Sequence, residues 1–234
     1  ARNGAARSSE QRSTIAWALV QLRFKVDARK LNLDSNWDDR LAEMYAGLVK
    51  HDPALPQAVI AQPDFGLPDH TIYLKPLAAA DLQLAVDRIV ARIGKTEDYP
   101  WTTEIVRLLG RSKRDEHVQL VRKQLGNFAV QGAVLSVLAR KPRPSDRAFF
   151  VRGLESSDLG VVGTCVSALT ALPAIKDPQE LVRLVYNLRR LNHDEATWRL
   201  RESVVRVLQR NTGRQFGFTP GKEGYRSEEH TSEL

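Results

Sequence analysis

Residues 144–173 constrain the fold most, because their apolar side chains recur at helical spacing in two short runs. Ser145 and Asp146 are typical helix-starting residues, and the first run after them contains Phe150, Val151 and Leu154. Polar residues at 156–158 separate it from the second run and can cap the second helix. The second run has apolar residues at positions 161, 162, 165, 166, 169 and 172, which is one broad face of a helix. Neither helix can bury this face alone. The stretch therefore predicts a helical hairpin that packs between neighbouring hairpins.

The flanking sequence repeats this hairpin at a period of slightly more than about 30 residues. We predict helix pairs at 113–125 with 128–140, 144–154 with 158–172, and 178–191 with 195–211. The segment VLSVL before Pro142 corresponds to CVSAL before Pro173, and Asp177 precedes Pro178 as a helix cap does. These repeats predict an all-α fold, an α-solenoid of antiparallel helical hairpins that forms a HEAT-like or armadillo-type superhelix.

The first hundred residues are predicted to be helical but less regular. Residues 1–7 are expected to fray, helices are predicted at 8–26, 37–50, 79–93 and 101–109, and Pro and Gly place a loop at 62–68. We expect Ile15, Leu19, Met44 and Tyr45 to face inward and Gly94 to terminate its helix. The predicted organisation is an irregular part of the solenoid at 1–110, regular repeats at 111–212, a turn or linker at 213–225, and a tail at 226–234.

The residue types used in catalysis form no recognisable motif. The histidines at 51, 70, 117 and 193 are scattered and are expected at solvent-facing or helix-cap positions. Cys165 is the single cysteine, which excludes an internal disulfide, and its apolar helix face predicts a buried structural thiol. The acid pairs Asp38-Asp39 and Asp115-Glu116 fall in first turns of predicted helices, where carboxylates favour the dipole. We predict no catalytic, cofactor-binding or metal-binding residue.

The chain is basic, with a net charge of +7. It contains no run of 18 apolar residues, so the sequence predicts no membrane span. We interpret most of the basic excess as solvated helix faces. Arginines nevertheless concentrate on the last predicted helix pair, where they could hold an anionic partner. The residues of this predicted anionic-partner surface are Arg183, Arg189, Arg190, Arg199, Arg201, Arg206 and Arg210.

Residues 113–211 resemble HEAT-type repeats of the short bacterial kind. The resemblance rests on LESSDLGVVGTCVSALTALP, which begins at Leu154, and on its echo at 125–142. The chain departs from the longer eukaryotic HEAT pattern in its period, and it lacks the Trp, Gly, Tyr and Ala signature of tetratricopeptide repeats. The resemblance implies stacked helices and indicates little about chemistry.

A narrower resemblance covers about residues 60–220. LQRNTGRQFGFTP at 208–220 resembles a motif that closes the helical-repeat region of large planctomycete-type proteins, and PDFGLP at 63–68 and DYPW at 98–101 fit the same region. Those proteins resemble sugar dehydrogenases at their front and end in a c-type cytochrome module. The resemblance implies a periplasmic or cell-surface redox parent that carries haem; without it a cytoplasmic location is expected. C-x-x-C-H is absent here, so this chain is expected to bind no haem covalently.

The last nine residues have a separate explanation. RSEEHTSEL at 226–234 resembles the translation of a common sequencing-library adapter. We therefore expect this tail to be non-native, and we expect the chain to be a metagenomic fragment of a longer protein.

Together these observations predict a non-catalytic helical-repeat scaffold or protein-interaction segment. Its partner would be another protein or a neighbouring domain of the same larger protein. The alternative is a nucleic-acid-binding HEAT-like protein, or a DNA glycosylase, that uses a basic groove.

Overall fold

The computed structural model describes residues 2–25, 37–112, 114–191 and 197–216, with side chains from 9–21 in the first helix and from 38 onward elsewhere. All regular secondary structure in these residues is helical and none is strand, which confirms the all-α class. Contacts divide the chain into two compact units, 1–109 and 110–234. The predicted tail and most of the predicted linker lie outside the described residues.

The first unit is built around a short 3-10 helix at Pro68–Leu74. α1 packs on α3 and on this 3-10 helix, α2 packs on the 3-10 helix, and α3 packs on α4. The bounds are α1 (Arg2–Lys25), α2 (Trp37–His51), α3 (Leu55–Ile60), α4 (Ala79–Lys95) and α5 (Thr103–Gly110).

The loop predicted at 62–68 is present and is fixed by buried side chains. His70 Nδ1 accepts hydrogen bonds from the backbone N–H groups of Gly66 and Leu67, at 3.1 and 3.2 Å. The Tyr99 hydroxyl donates to the Gly66 carbonyl at 2.9 Å. Gly66 has a φ of 114°, a conformation that favours glycine. The glycine and its polar neighbours therefore define one loop geometry.

Several predicted details of the first unit are wrong. α1 begins at Arg2, so residues expected to fray belong to the helix. Ile15 and Met44 are exposed, because a neighbouring face of each helix is turned inward instead. Gly94 lies inside α4 without a left-handed backbone, and the helix ends where Thr96 becomes extended. The buried positions of α1 and α2 are Ala16, Leu19, Val20, Leu41 and Tyr45.

The second unit contains a helix in each segment where the sequence predicts one. α6 packs on α7, α8 on α9, and α10 on α11, while α9 also packs on both α7 and α11. Further 3-10 helices lie at Lys123–Gly126 and Pro144–Asp146. The bounds are α6 (Asp115–Arg122), α7 (Gln131–Leu138), α8 (Arg147–Gly153), α9 (Leu159–Ala171), α10 (Pro178–Arg190) and α11 (Trp198–Thr212).

The predicted caps of two helices are confirmed. Asp158 starts α9 and accepts a 2.7 Å hydrogen bond from the backbone N–H of Gly160. Asp177 starts α10 in the same way, with a 3.1 Å bond from the N–H of Gln179. Each carboxylate satisfies an N–H group that lacks a partner within the helix. Gly213 closes α11 with a φ of 72°, and residues 213–216 leave the helix as predicted.

Candidate functional site

Two buried carboxylates pair with arginines between helices of the second unit. Arg122 of α6 donates from Nε and Nη2 to Oδ1 and Oδ2 of Asp146, at 3.0 and 2.9 Å. Arg147 of α8 donates from Nε and Nη2 to Oε2 and Oε1 of Glu180 in α10, at 2.7 and 3.2 Å. The carboxylates are 1% and 0% exposed. Bidentate contacts of this kind are strong and fix the relative orientation of both partners.

Sequence reasoning missed the structural role of both acids. The sequence predicts that Asp146 starts a helix, but its side chain makes no capping bond at α8 because Arg122 binds it. Glu180 accepts a further 2.7 Å bond from Nδ2 of Asn211 in α11. A buried carboxylate is tolerated when a cation and hydrogen bonds replace its water. The available signal was a charged residue on an apolar face, since Glu180 lies four residues before buried Leu184.

Part of the predicted anionic-partner surface is engaged with backbone carbonyls. Arg201 is buried and donates to two carbonyls at the C-terminal end of α10, at 3.0 and 2.8 Å. Arg210 donates to the carbonyl of Leu169 near the end of α9 at 2.7 Å. Arg190 donates to the carbonyl of Ser156 at 2.8 Å. These arginines satisfy carbonyls at helix ends and in a connection, which lack helical partners.

The remaining arginines of that surface differ in how freely they face solvent. Arg183 pairs with Glu155 at 2.6 Å, and Arg206 pairs with a glutamate one turn earlier in α11. Arg199 is exposed and lies 5.4 Å from the ring centroid of the neighbouring tryptophan. Arg189 is exposed, and its side chain makes no hydrogen bond or ion pair with the described residues. The anionic-partner surface as a whole stays a prediction.

Cys165 is confirmed as a buried thiol. It lies on the inner face of α9 and is fully inaccessible to solvent. Burial raises the pKa of the Cys165 thiol to about 12, because the low-polarity surroundings disfavour the thiolate. Since the thiolate is the reactive form, this position favours packing over nucleophilic chemistry.

We expect Cys165 to resist thiol reagents at pH 8 in the folded chain and to react once the chain unfolds in urea. The unfolded thiol releases its proton at a lower pH than the folded thiol. Burial of the neutral thiol therefore contributes stability that is lost as pH rises from the ordinary cysteine pKa of about 9 toward 12. Absorbance after addition of an aromatic disulfide reagent measures the reaction, with Cys165→Ser as the blank. Rapid modification of the folded chain would contradict the burial.

The histidines and paired acids also have local structural roles. His117 is buried in the first turn of α6, with Nδ1 2.8 Å from the Ser112 hydroxyl. His51 is exposed, and His193 lies outside the described residues. The predicted acid pairs do fall in the first turns of α2 and α6. Within the described part of the chain, no group of three or more His, Cys, Asp or Glu side chains gathers as metal ligands do.

A groove of about 300 Å³ opens between α6 and the end of α7. Its floor is apolar and its rim is cationic, and we name it the basic groove. Sequence reasoning favoured the more numerous arginines at 183–210. It missed the compact RKPR run at 140–143, which is the sequence signal of the basic groove. The floor residues are Val118, Val137 and Leu138, and the charged rim residues are Asp115, Arg122, Arg140, Lys141 and Arg143.

Apolar side chains also remain exposed along one face of α10. Val182, Val185 and Tyr186 are 68%, 40% and 59% exposed. Residues three and four positions apart lie on the same side of a helix, so these three form a stripe. We name them the α10 stripe.

Among the described helices, none combines the length and hydropathy needed to cross a membrane. Searches against protein-family models, curated proteins and solved structures found no match to this chain.

Proposed function

We propose that the chain is a non-catalytic α-solenoid segment of HEAT-like hairpins. It serves as a scaffold or protein-interaction segment in a larger periplasmic redox protein with dehydrogenase-like and c-type cytochrome parts. The observation that carries the scaffold part of the proposal is the order of contacts in the second unit, and the redox parent rests on the resemblance at 60–220. Arginine–carboxylate pairs link α6 to the start of α8, and α8 to α10, while α7, α9 and α11 pack in succession. Packing of each hairpin on its immediate neighbours is typical of stacked repeats.

α8 and α10 are the first helices of two successive hairpins, and comparing them supports a further hairpin that packs against α10. Asp146 and Glu180 occupy equivalent positions in the two hairpins, because each accepts bidentate hydrogen bonds from an arginine of the preceding hairpin. By the same offset Val151 corresponds to Val185. Val151 is 5% exposed, whereas Val185 is 40% exposed. Terminal repeats need a polar outer face, so the α10 stripe favours a neighbouring hairpin of the same larger protein as its occupant.

The complete gene of the parent protein tests the proposal. We expect its reading frame to encode further helical hairpins of similar length, because the α10 stripe favours a neighbouring hairpin, and a C-x-x-C-H motif, because the resemblance at 60–220 implies a c-type cytochrome module. Haem staining of the purified parent after denaturing electrophoresis would then reveal covalent haem. A parent without a haem-attachment motif would contradict the redox role, and a parent without further hairpins would contradict the extended scaffold.

The exposed positions of Arg189 and Arg199 keep nucleic-acid binding as a second candidate. That alternative expects an affinity for duplex DNA that falls steeply with salt and is lost in the Arg189→Glu, Arg199→Glu double variant. The scaffold proposal expects the original chain and the double variant to bind duplex DNA equally weakly. Fluorescence anisotropy of labelled DNA distinguishes them. Arg201 is unsuitable for this test because its buried guanidinium stabilises the end of α10.

A further inference from the structure

We infer that the basic groove docks an acidic peptide segment that carries an apolar side chain and belongs to a protein partner. The inference rests on the proposed function, since it names the chemistry of the partner that such a scaffold would hold. Both parts of the inference come from the groove itself. Its floor selects the apolar side chain, and its rim selects the surrounding negative charge.

The floor of the groove is apolar surface at the edge of a packed core. Val118 is half-buried, and Val137 and Leu138 are buried with one side toward the groove. Gly110 adds no side chain, and a Cβ there would lie 2.3 Å from Cγ2 of Val137. The volume is at the lower end of the roughly 300–1,000 Å³ of known ligand clefts. The groove therefore suits one inserted side chain of a peptide better than a globular surface.

Apart from Arg122, whose charge Asp146 balances, the rim carries positive charge that the chain itself neutralises poorly. Lys141 is exposed, and its side chain makes no hydrogen bond or ion pair with the described residues. Arg140 donates to the carbonyl of Gly110 at a long 3.4 Å. Arg143 lies 3.5 Å from Asp115, and these side chains are 37% and 79% exposed. Clustered cations of this kind attract anionic partners and orient them on approach.

The combination favours an acidic peptide over a nucleic acid. A phosphate backbone could satisfy the rim but offers no apolar group to pack against Val118 and the exposed edges of Val137 and Leu138. Single-stranded nucleic acids are held by aromatic side chains on which bases stack, and none of the described residues that line this groove is aromatic. A peptide satisfies both parts at once, because carboxylates match the guanidinium groups and an aliphatic side chain covers the floor.

Binding of a fluorescein-labelled peptide that alternates Glu and Leu to the full chain tests the inference. We expect the Arg140→Glu, Lys141→Glu double variant to weaken binding by about tenfold or more, because it reverses the rim charge. The matched control is Arg152→Glu, Lys176→Glu, which changes the net charge equally at exposed positions outside this groove. That control should bind within about twofold of the original chain. Replacing Leu by Gln in the peptide should also weaken binding, and this comparison depends on no variant of the protein.

Each other outcome overturns the inference. Equal weakening in both double variants would indicate general electrostatic attraction. Unchanged binding of the Gln peptide would remove the role of the floor. Duplex DNA that binds more tightly than the peptide, and loses affinity in the Arg140, Lys141 variant, would assign the groove to nucleic acid. A parent gene with further hairpins and haem attachment, combined with no peptide binding, would overturn the groove inference and leave the scaffold proposal standing.

Discussion

Replacing Glu180 with alanine is expected to destabilise the second unit by about 3–5 kcal/mol. The substitution leaves the guanidinium of Arg147 without its anion and Nδ2 of Asn211 without its acceptor. Removing one partner of a buried pair costs more than the pair itself contributes, because an uncompensated charge remains buried. Arg210 adds to the effect. Burial and nearby Arg147 lower the pKa of Arg210, while Glu180 raises it, so the loss of Glu180 leaves two cations facing each other.

Urea denaturation of matched variants measures this effect as a shift in midpoint at constant slope. Glu155→Ala is the control, because it removes the partner of Arg183 in a pair of similar distance at the surface. We expect that control to cost at most about 1 kcal/mol. The Arg147→Met, Glu180→Leu double variant should recover much of the loss, since it buries no charge. Equal losses for Glu180→Ala and Glu155→Ala would contradict the structural role of the buried pair.

The second expected result concerns Gly153 at the end of α8. Its Cα lies so close to α9 that an added Cβ would be 2.4 Å from Sγ of Cys165 and 3.0 Å from Cδ1 of Leu135. Overpacking of a core contact costs about 1–3 kcal/mol. Alanine is favoured over glycine in a helix by up to about 1 kcal/mol. We expect the steric cost to exceed this gain, so Gly153→Ala should lower the midpoint of urea unfolding.

A compensating substitution makes this prediction specific. Cys165→Ala removes Sγ and leaves its Cβ 3.7 Å from the new methyl group, an ordinary contact. The double variant should therefore be more stable than the sum of the two single effects predicts. Gly94→Ala is the control, because nothing lies within 4 Å of a Cβ at that helical position. It should be neutral or stabilising by about 0.5–1 kcal/mol. Additive losses in the double variant would exclude the proposed clash.

The local features of this chain were predictable because they depend on a few consecutive residues. Asp158 and Asp177 cap helices through N–H groups two positions later, so the cap can be read from the sequence alone. The buried position of Cys165 follows from apolar neighbours one turn away on either side. Met44 and Gly94 show where this reasoning fails. The inward face of a helix and its last residue depend on the surrounding packing as well as on spacing.

The sequence alone determined that this protein is all-α, where most of its helices lie, and which residues begin several of them. The tertiary structure decided which charged groups would be buried. Arg122 and Asp146 are 24 residues apart, and Arg147 and Glu180 are 33 apart, so each pair exists because of which helices pack together. The basic groove likewise joins a face of α6 to the end of α7 and the residues that follow it. Periodicity reports the side of a helix that is buried, but electrostatic partners depend on distances between helices, which no local pattern contains.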